Sequence, residues 1–190
     1  MLIFAAPLID LRAARNVHRP RLRGPTGHAM LDTMEIALFA GLGVLFAIGL
    51  IVLTRWSKTR PALLAAYALI AVSFLYVGFA MRAENSETWV GFEMTAVAVF
   101  GTLAGMSIVG SPWFVVVGLL LHAGWTLYEH YLGAGQAFAP APAVMATIGF
   151  DVVVALYVAF MTLRGKKDDA QAAAPGRKLA ARSQNRKGAA

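Results

Sequence analysis

The sequence predicts an all-α membrane protein, a bundle of five transmembrane helices with its N-terminus outside and its C-terminus in the cytoplasm. Three observations lead there. Of 190 residues, 58% are hydrophobic and only 14% charged, against about 25% charged in ordinary soluble domains. Apolar runs of about 20 residues, enough to cross a bilayer, recur along the chain. Apart from Arg82, the cations lie in one short loop and the two termini. The net charge of +7 and the pI near 10.1 therefore reflect topology and anionic headgroups. They do not imply nucleic acid, for which no recognition motif is present.

Residues 1–29 differ from the rest. Met1–Leu8 is a short apolar run followed by Arg12, Arg15, Arg19, Arg21 and Arg23. A secretory signal has the opposite order, with its charge first. The segment reads as a disordered extension, or as an upstream artefact with translation starting at Met30 or Met34. The membrane domain is expected over residues 30–164. Its first span covers about Met34–Thr54, and Arg55, Lys58 and Arg60 close it. Pro61, suited to the first turn of a helix, opens the second span, which ends near Met81. After a short acidic loop with Glu84 and Glu87, the third span covers about Trp89–Gly110. Ser111-Pro112 turns into the fourth, about Trp113–Leu132. A Gly- and Pro-containing loop over 133–142 leads to the fifth, about Val144–Leu163. Residues 165–190, rich in Ala, Lys and Arg, read as a disordered basic tail. The cations of the 55–60 loop and of the tail fall on one side, which the positive-inside rule makes cytoplasmic. The five N-terminal arginines dissent, because they would lie outside.

The fourth span carries the chemistry. In a helix turning about 100° per residue, Thr126 and Glu129 fall within roughly 40° of His122, and His130 within about 80°. Ionisable groups inside a membrane are costly and are candidates for function. At about 1.5 Å per residue, Glu129 and His130 lie near the outer surface and His122 about 13 Å deeper. Asp151 of the fifth span lies roughly 11 Å below that surface and Glu93 of the third about 6 Å. His122 is thus expected to meet Asp151, and Glu93 to meet Glu129 or His130. Ser73 and Tyr76 reach the same half as hydroxyl donors. The plainer readings are headgroup solvation for Glu129 and His130, outward snorkelling for Glu93, and a structural interhelical bond for His122 and Asp151.

His122, Asp151, Glu93, Glu129 and His130 form a donor set suited to a borderline or hard divalent ion, and equally a ladder for protons. With no cysteine, thiolate metal sites and a cysteine nucleophile are excluded. No P-loop, dinucleotide fingerprint or serine elbow appears. The eight methionines are scattered and read as packing. Gly101 and Gly105, four apart, read as helix packing rather than dimerisation.

The stretch Gly118–Gly133, with His122, Ala123, Trp125 and His130, resembles a family of small bacterial multi-pass integral membrane proteins of unknown function. Members read H-A-x-W-D-x-x-H-H in this helix and Phe-Asp in the last, which Phe150-Asp151 matches. The resemblance covers about residues 60–163. The chain departs at Thr126, where the pattern has Asp, and at Glu129, where it has the first His of the pair; a strictly His-rich metal site does not follow. The resemblance implies a membrane bundle and supplies no activity.

The sequence therefore points to a bacterial plasma-membrane protein with a polar, metal-capable site in the outer half of the bilayer. As an enzyme it would perform metal-assisted hydrolysis or lipid modification, with His122, Asp151 and Glu93 as the catalytic candidates. The alternatives are a small transporter or proton-relay subunit, and a non-catalytic partner subunit. Its partners are the bilayer, anionic headgroups at the basic tail, and a second copy or another membrane subunit.

Overall fold

The computed structural model describes residues 32–133 and 135–173, with side chains to Lys167. The expectations for residues 1–29 and 174–190 lie outside the described residues. Five helices run in order: α1 (Thr33–Ser57), α2 (Pro61–Ala80), α3 (Ser86–Val109), α4 (Trp113–Tyr131) and α5 (Ala141–Ala173), with a 3-10 turn at Gly135–Ala137 before α5.

Local chemistry sets the helix ends. Asp32 caps α1: its Oδ1 accepts from the Met34 N–H at 2.8 Å. Glu35 reaches back to the Asp32 N–H at 3.2 Å, completing a capping box. Lys58 takes the left-handed conformation that ends α1, and Pro61 opens α2 at the first turn. The fifth helix does not stop near Leu163. It continues to Ala173, so residues 165–173 are helical and not part of a disordered tail. Lys, Gln and Ala are strong helix formers, and the helix runs on once its apolar part is complete.

The bundle is inside-out by the standard of a soluble protein. Met34, Leu38, Phe46, Phe74, Leu121, Leu156 and Phe160 lie exposed on its outside, while Ser73, Glu93, Ser107, His122, Thr126, Thr147 and Asp151 are buried. A large contiguous apolar exterior needs a non-aqueous surrounding. Four helices are long and apolar enough to cross a membrane: α1, α2, α3 and the Ala141–Lys167 part of α5. The chain is an all-helical, multi-pass membrane protein. Among the described residues α4 is not one of those four, because His122, Thr126, Glu129 and His130 occupy its second half.

α5 is the hub. It packs against α1 on one side and α4 on the other and also meets α2; α3 bridges α4 to α2. Glycine permits the closest of these approaches. A methyl group on Gly43 would overlap the Ala146 carbonyl, and one on Gly149 would overlap that of Ala40. Gly118 of α4 lies against the side chains of Leu69 and Leu103. Gly101 and Gly105 do not. A Cβ on either meets nothing within 4 Å, which corrects their reading as the packing stripe: their face of α3 turns away from the other helices.

Candidate functional site

The site is built where α2, α3, α4 and α5 converge. His122, Thr126, Glu129 and His130 of α4 are all buried, so headgroup solvation does not describe Glu129 or His130. Nor does snorkelling describe Glu93, which is 2% exposed.

Two pairs organise this interior. His122 Nδ1 lies 2.7 Å from Asp151 Oδ2, with both side chains sealed from the surface. The ring N–H donates and the carboxylate accepts, which leaves Nε2 as the other working nitrogen of the ring. The imidazole is held edge-on by two aromatic rings, Phe100 at 4.8 Å and Tyr76 at 5.8 Å between centroids. In the second pair, the carboxyl groups of Glu93 and Glu129 face one another within hydrogen-bonding reach. Two carboxyls in that arrangement need a proton or a cation between them. Glu129 is therefore a partner of Glu93; the His130 ring packs edge-on against Tyr131 at 5.1 Å.

Tyr76 connects the pairs. Its hydroxyl faces Thr147 and Thr126 and stands in the fields of both Asp151 and Glu93, without a well-formed hydrogen bond to any of them. Thr126 Oγ1 donates to the Ala123 carbonyl at 3.1 Å, so its lone pairs remain available to a donor. Ser73, the other expected hydroxyl donor, spends its O–H on Leu69 O at 2.8 Å within its own helix. Asp151 Oδ1, Glu93 Oε1 and Glu129 Oε1 are buried acceptors with no partner among the protein's groups. Buried polar atoms are ordinarily bonded, and an exception marks a place for an ion, water or ligand.

Thr147 and Phe100 were not among the sequence candidates. A signal existed for Thr147, which lies four residues before Asp151 and hence on the same helical face. Phe100 carried none, because a buried aromatic in an apolar span looks like any other. Among the described residues, no group of three or more His, Asp or Glu is spaced to hold one metal ion. The buried residues that are described include no Lys or Arg, so the interior charge is carboxylate and imidazole alone.

No protein-family model matches the chain, and no solved structure matches it. A curated protein similar to it is protoheme IX farnesyltransferase 2 of Pseudoalteromonas translucida (strain TAC 125), 29% identical over 119 residues. The match covers 63% of this chain and 33% of the relative, so the chain spans about a third of the length of the curated protein it matches.

Proposed function

We propose that the chain is a five-span protein of the bacterial plasma membrane, N-terminus outside and C-terminus cytoplasmic, that modifies a membrane lipid at its His122–Asp151 pair. The observation that carries this is the 2.7 Å contact between those two side chains inside a bundle with an apolar exterior. An imidazole fixed through Nδ1 by a carboxylate has the arrangement of a general base. Nε2 takes the proton of a substrate O–H, and Asp151 steadies the imidazolium that forms. The substrate oxygen attacks the carbonyl carbon of an ester-bearing co-substrate; the new ester C–O bond forms as the old one breaks, and the imidazolium returns its proton to the departing alcohol oxygen, restoring the pair. Substrates reach such a site most readily from the hydrocarbon, which makes lipids the natural class. The similarity to a farnesyltransferase of protoheme IX supports group transfer among lipid-like molecules, though over only part of that relative.

The reading needs no metal. A divalent ion, if bound at His122 Nε2, would need its remaining ligands from water or substrate, because no three His, Asp or Glu among the described residues are spaced to hold it, and it would supply an activated water. Elemental analysis of detergent-purified protein separates the two chemistries: a stoichiometric metal would shift the reaction to metal-assisted hydrolysis. The activity itself is tested by lipid mass spectrometry of membranes carrying wild type, His122→Ala or Asp151→Asn at matched protein levels. A lipid species altered by wild type and by neither variant is expected. Identical lipids in all three would sink the reading.

A second reading, a proton relay, is favoured by the Glu93–Glu129 contact with Tyr76 between it and Asp151. It predicts faster decay of a pH gradient in proteoliposomes of wild type than of Glu93→Ala.

A further inference from the structure

Six cations gather at one end of the bundle. Arg55, Lys58 and Arg60 lie at the end of α1 and the start of α2, and Arg164, Lys166 and Lys167 lie on the last part of α5. All six are exposed. Helix packing brings the two groups to one level. Gly43 of α1 meets Ala146 of α5. Further along, Arg55 Nε donates to the Tyr157 hydroxyl at 3.4 Å, across 102 residues of chain. These contacts advance in the same direction on both helices, so α1 and α5 run parallel. α1 ends at Ser57, and Arg164, Lys166 and Lys167 follow Tyr157 within about three turns of α5. The other end of the bundle, where Ile36 and Phe39 of α1 share a cluster with Tyr76 and Phe79 of α2, has Asp32, Glu35, Glu84 and Glu87 against Arg82.

The basic end is not neutralised by the fold. Among the described residues none of the six cations is in an ion pair. Asp168 and Asp169, next in the sequence, offset two of them at most. The C-terminal pole of α1 accounts for Arg55 and Lys58, because cations are favourable there. It does not account for Arg60. That residue is the N-cap of α2, which has no side-chain cap, so its charge adds to the positive pole of the helix. A cation there is unfavourable unless an anion stands nearby. Trp56, 84% exposed beside Arg55, sets the depth, since indoles gather where hydrocarbon meets headgroups. Basic clusters between helix ends at that depth suit the phosphate of an anionic lipid.

We propose that this end, centred on Arg55, Lys58 and Arg60 and completed by Arg164, Lys166 and Lys167, is a docking surface for an anionic phospholipid of the bilayer. The guanidinium groups supply planar pairs of donors that match a phosphate, and the lysines add charge without fixed geometry. The surface is independent of the chemistry at His122 and Asp151. It concerns a lipid that stays bound, not one that is altered.

The test is native mass spectrometry of the full chain in detergent, offered equimolar dioleoylphosphatidylglycerol and dioleoylphosphatidylcholine. The two lipids share their chains and differ in the net charge of the head. Wild type is expected to retain phosphatidylglycerol several-fold over phosphatidylcholine. Arg55→Gln, Lys58→Gln and Arg60→Gln together should remove most of that preference. Arg60→Gln alone leaves two loop cations to orient the chain, and it should still lower the preference if the triple variant inserts poorly. Arg177→Gln, Arg182→Gln and Arg186→Gln together take the same charge from the tail and should leave the preference unchanged. Equal retention of the two lipids by wild type would overturn the proposal, leaving the cations to set topology alone. A loss as large in the tail variant as in the loop variant would overturn the site, because retention would then follow net charge and not place.

Discussion

His122 on α4 and Asp151 on α5 are joined by one contact, Nδ1 to Oδ2 at 2.7 Å, with 2% and 0% of the two side chains exposed. The two helices are consecutive in the chain and packed together. Neither group has another protein partner for the atoms involved, so each is the other's condition for being buried.

The two substitutions should therefore differ in cost. His122→Ala leaves Asp151 buried without its donor, a loss of about 3–5 kcal/mol for a broken buried pair. Asp151→Asn removes the charge and keeps an oxygen for the imidazole, so it should cost less. The double variant should cost less than the sum of the singles, because contacting residues are non-additive by roughly 0.5–3 kcal/mol. Thermal melts of the four proteins in detergent measure this, and strict additivity would mean the contact carries no coupling.

The Glu93–Glu129 pair makes a different prediction. If a proton bridges the carboxyls, Glu129→Gln replaces it with an amide donor and should melt close to wild type. Glu129→Ala strands a buried carboxyl and should lose about 1–3 kcal/mol or more. A Gln variant as damaged as the Ala variant would indicate a cation in the proton's place.

Packing of α1 on α5 is tested at two neighbouring glycines of α1. Gly43→Ala forces a methyl into the Ala146 carbonyl, while Gly41→Ala meets nothing within 4 Å. The first should cost about 1–3 kcal/mol, as overpacking does, and the second should be near neutral. Equal melts would show that α1 can shift on α5 without penalty.

These contrasts also mark how far the sequence could be read. Helix positions were legible because uninterrupted apolar runs end at Arg55, Arg82, Ser111-Pro112 and the 133–142 loop. Depth was legible too: counting residues from those ends brought His122 level with Asp151, and the structure has them in contact. Rotation was not. A helix in hydrocarbon is apolar on every side, so the 3.6-residue period that separates the faces of a soluble helix carries little information. That is why Gly101 and Gly105 looked like a packing stripe but face away, while Gly43 and Gly149, without that spacing, make the close approach. Ser73 was misjudged for a related reason. A serine can satisfy itself on the carbonyl four residues back, which no sequence pattern reveals.

The last prediction concerns α4, the helix whose own polarity keeps it from reading as a span. The charges C-terminal to α4 decide whether it crosses. If α4 crosses, the 133–142 loop lies outside and α5 returns the chain to the cytoplasm. The cations Arg164, Lys166, Lys167, Arg177, Lys178, Arg182, Arg186 and Lys187 then share a side with Arg55, Lys58 and Arg60. If α4 does not cross, α5 carries all of the tail cations outward, against the bias that orients membrane proteins. The polar residues of α4 are no obstacle to crossing, because they face α3 and α5 rather than lipid: His122 is bonded to Asp151 and Glu129 is in contact with Glu93. A reporter fused after Ala190 should therefore be active only in its cytoplasmic form, and one inserted in the 133–142 loop only in its periplasmic form. A periplasmic C-terminus would remove α4 from the spans and place the His122 site outside a five-span frame.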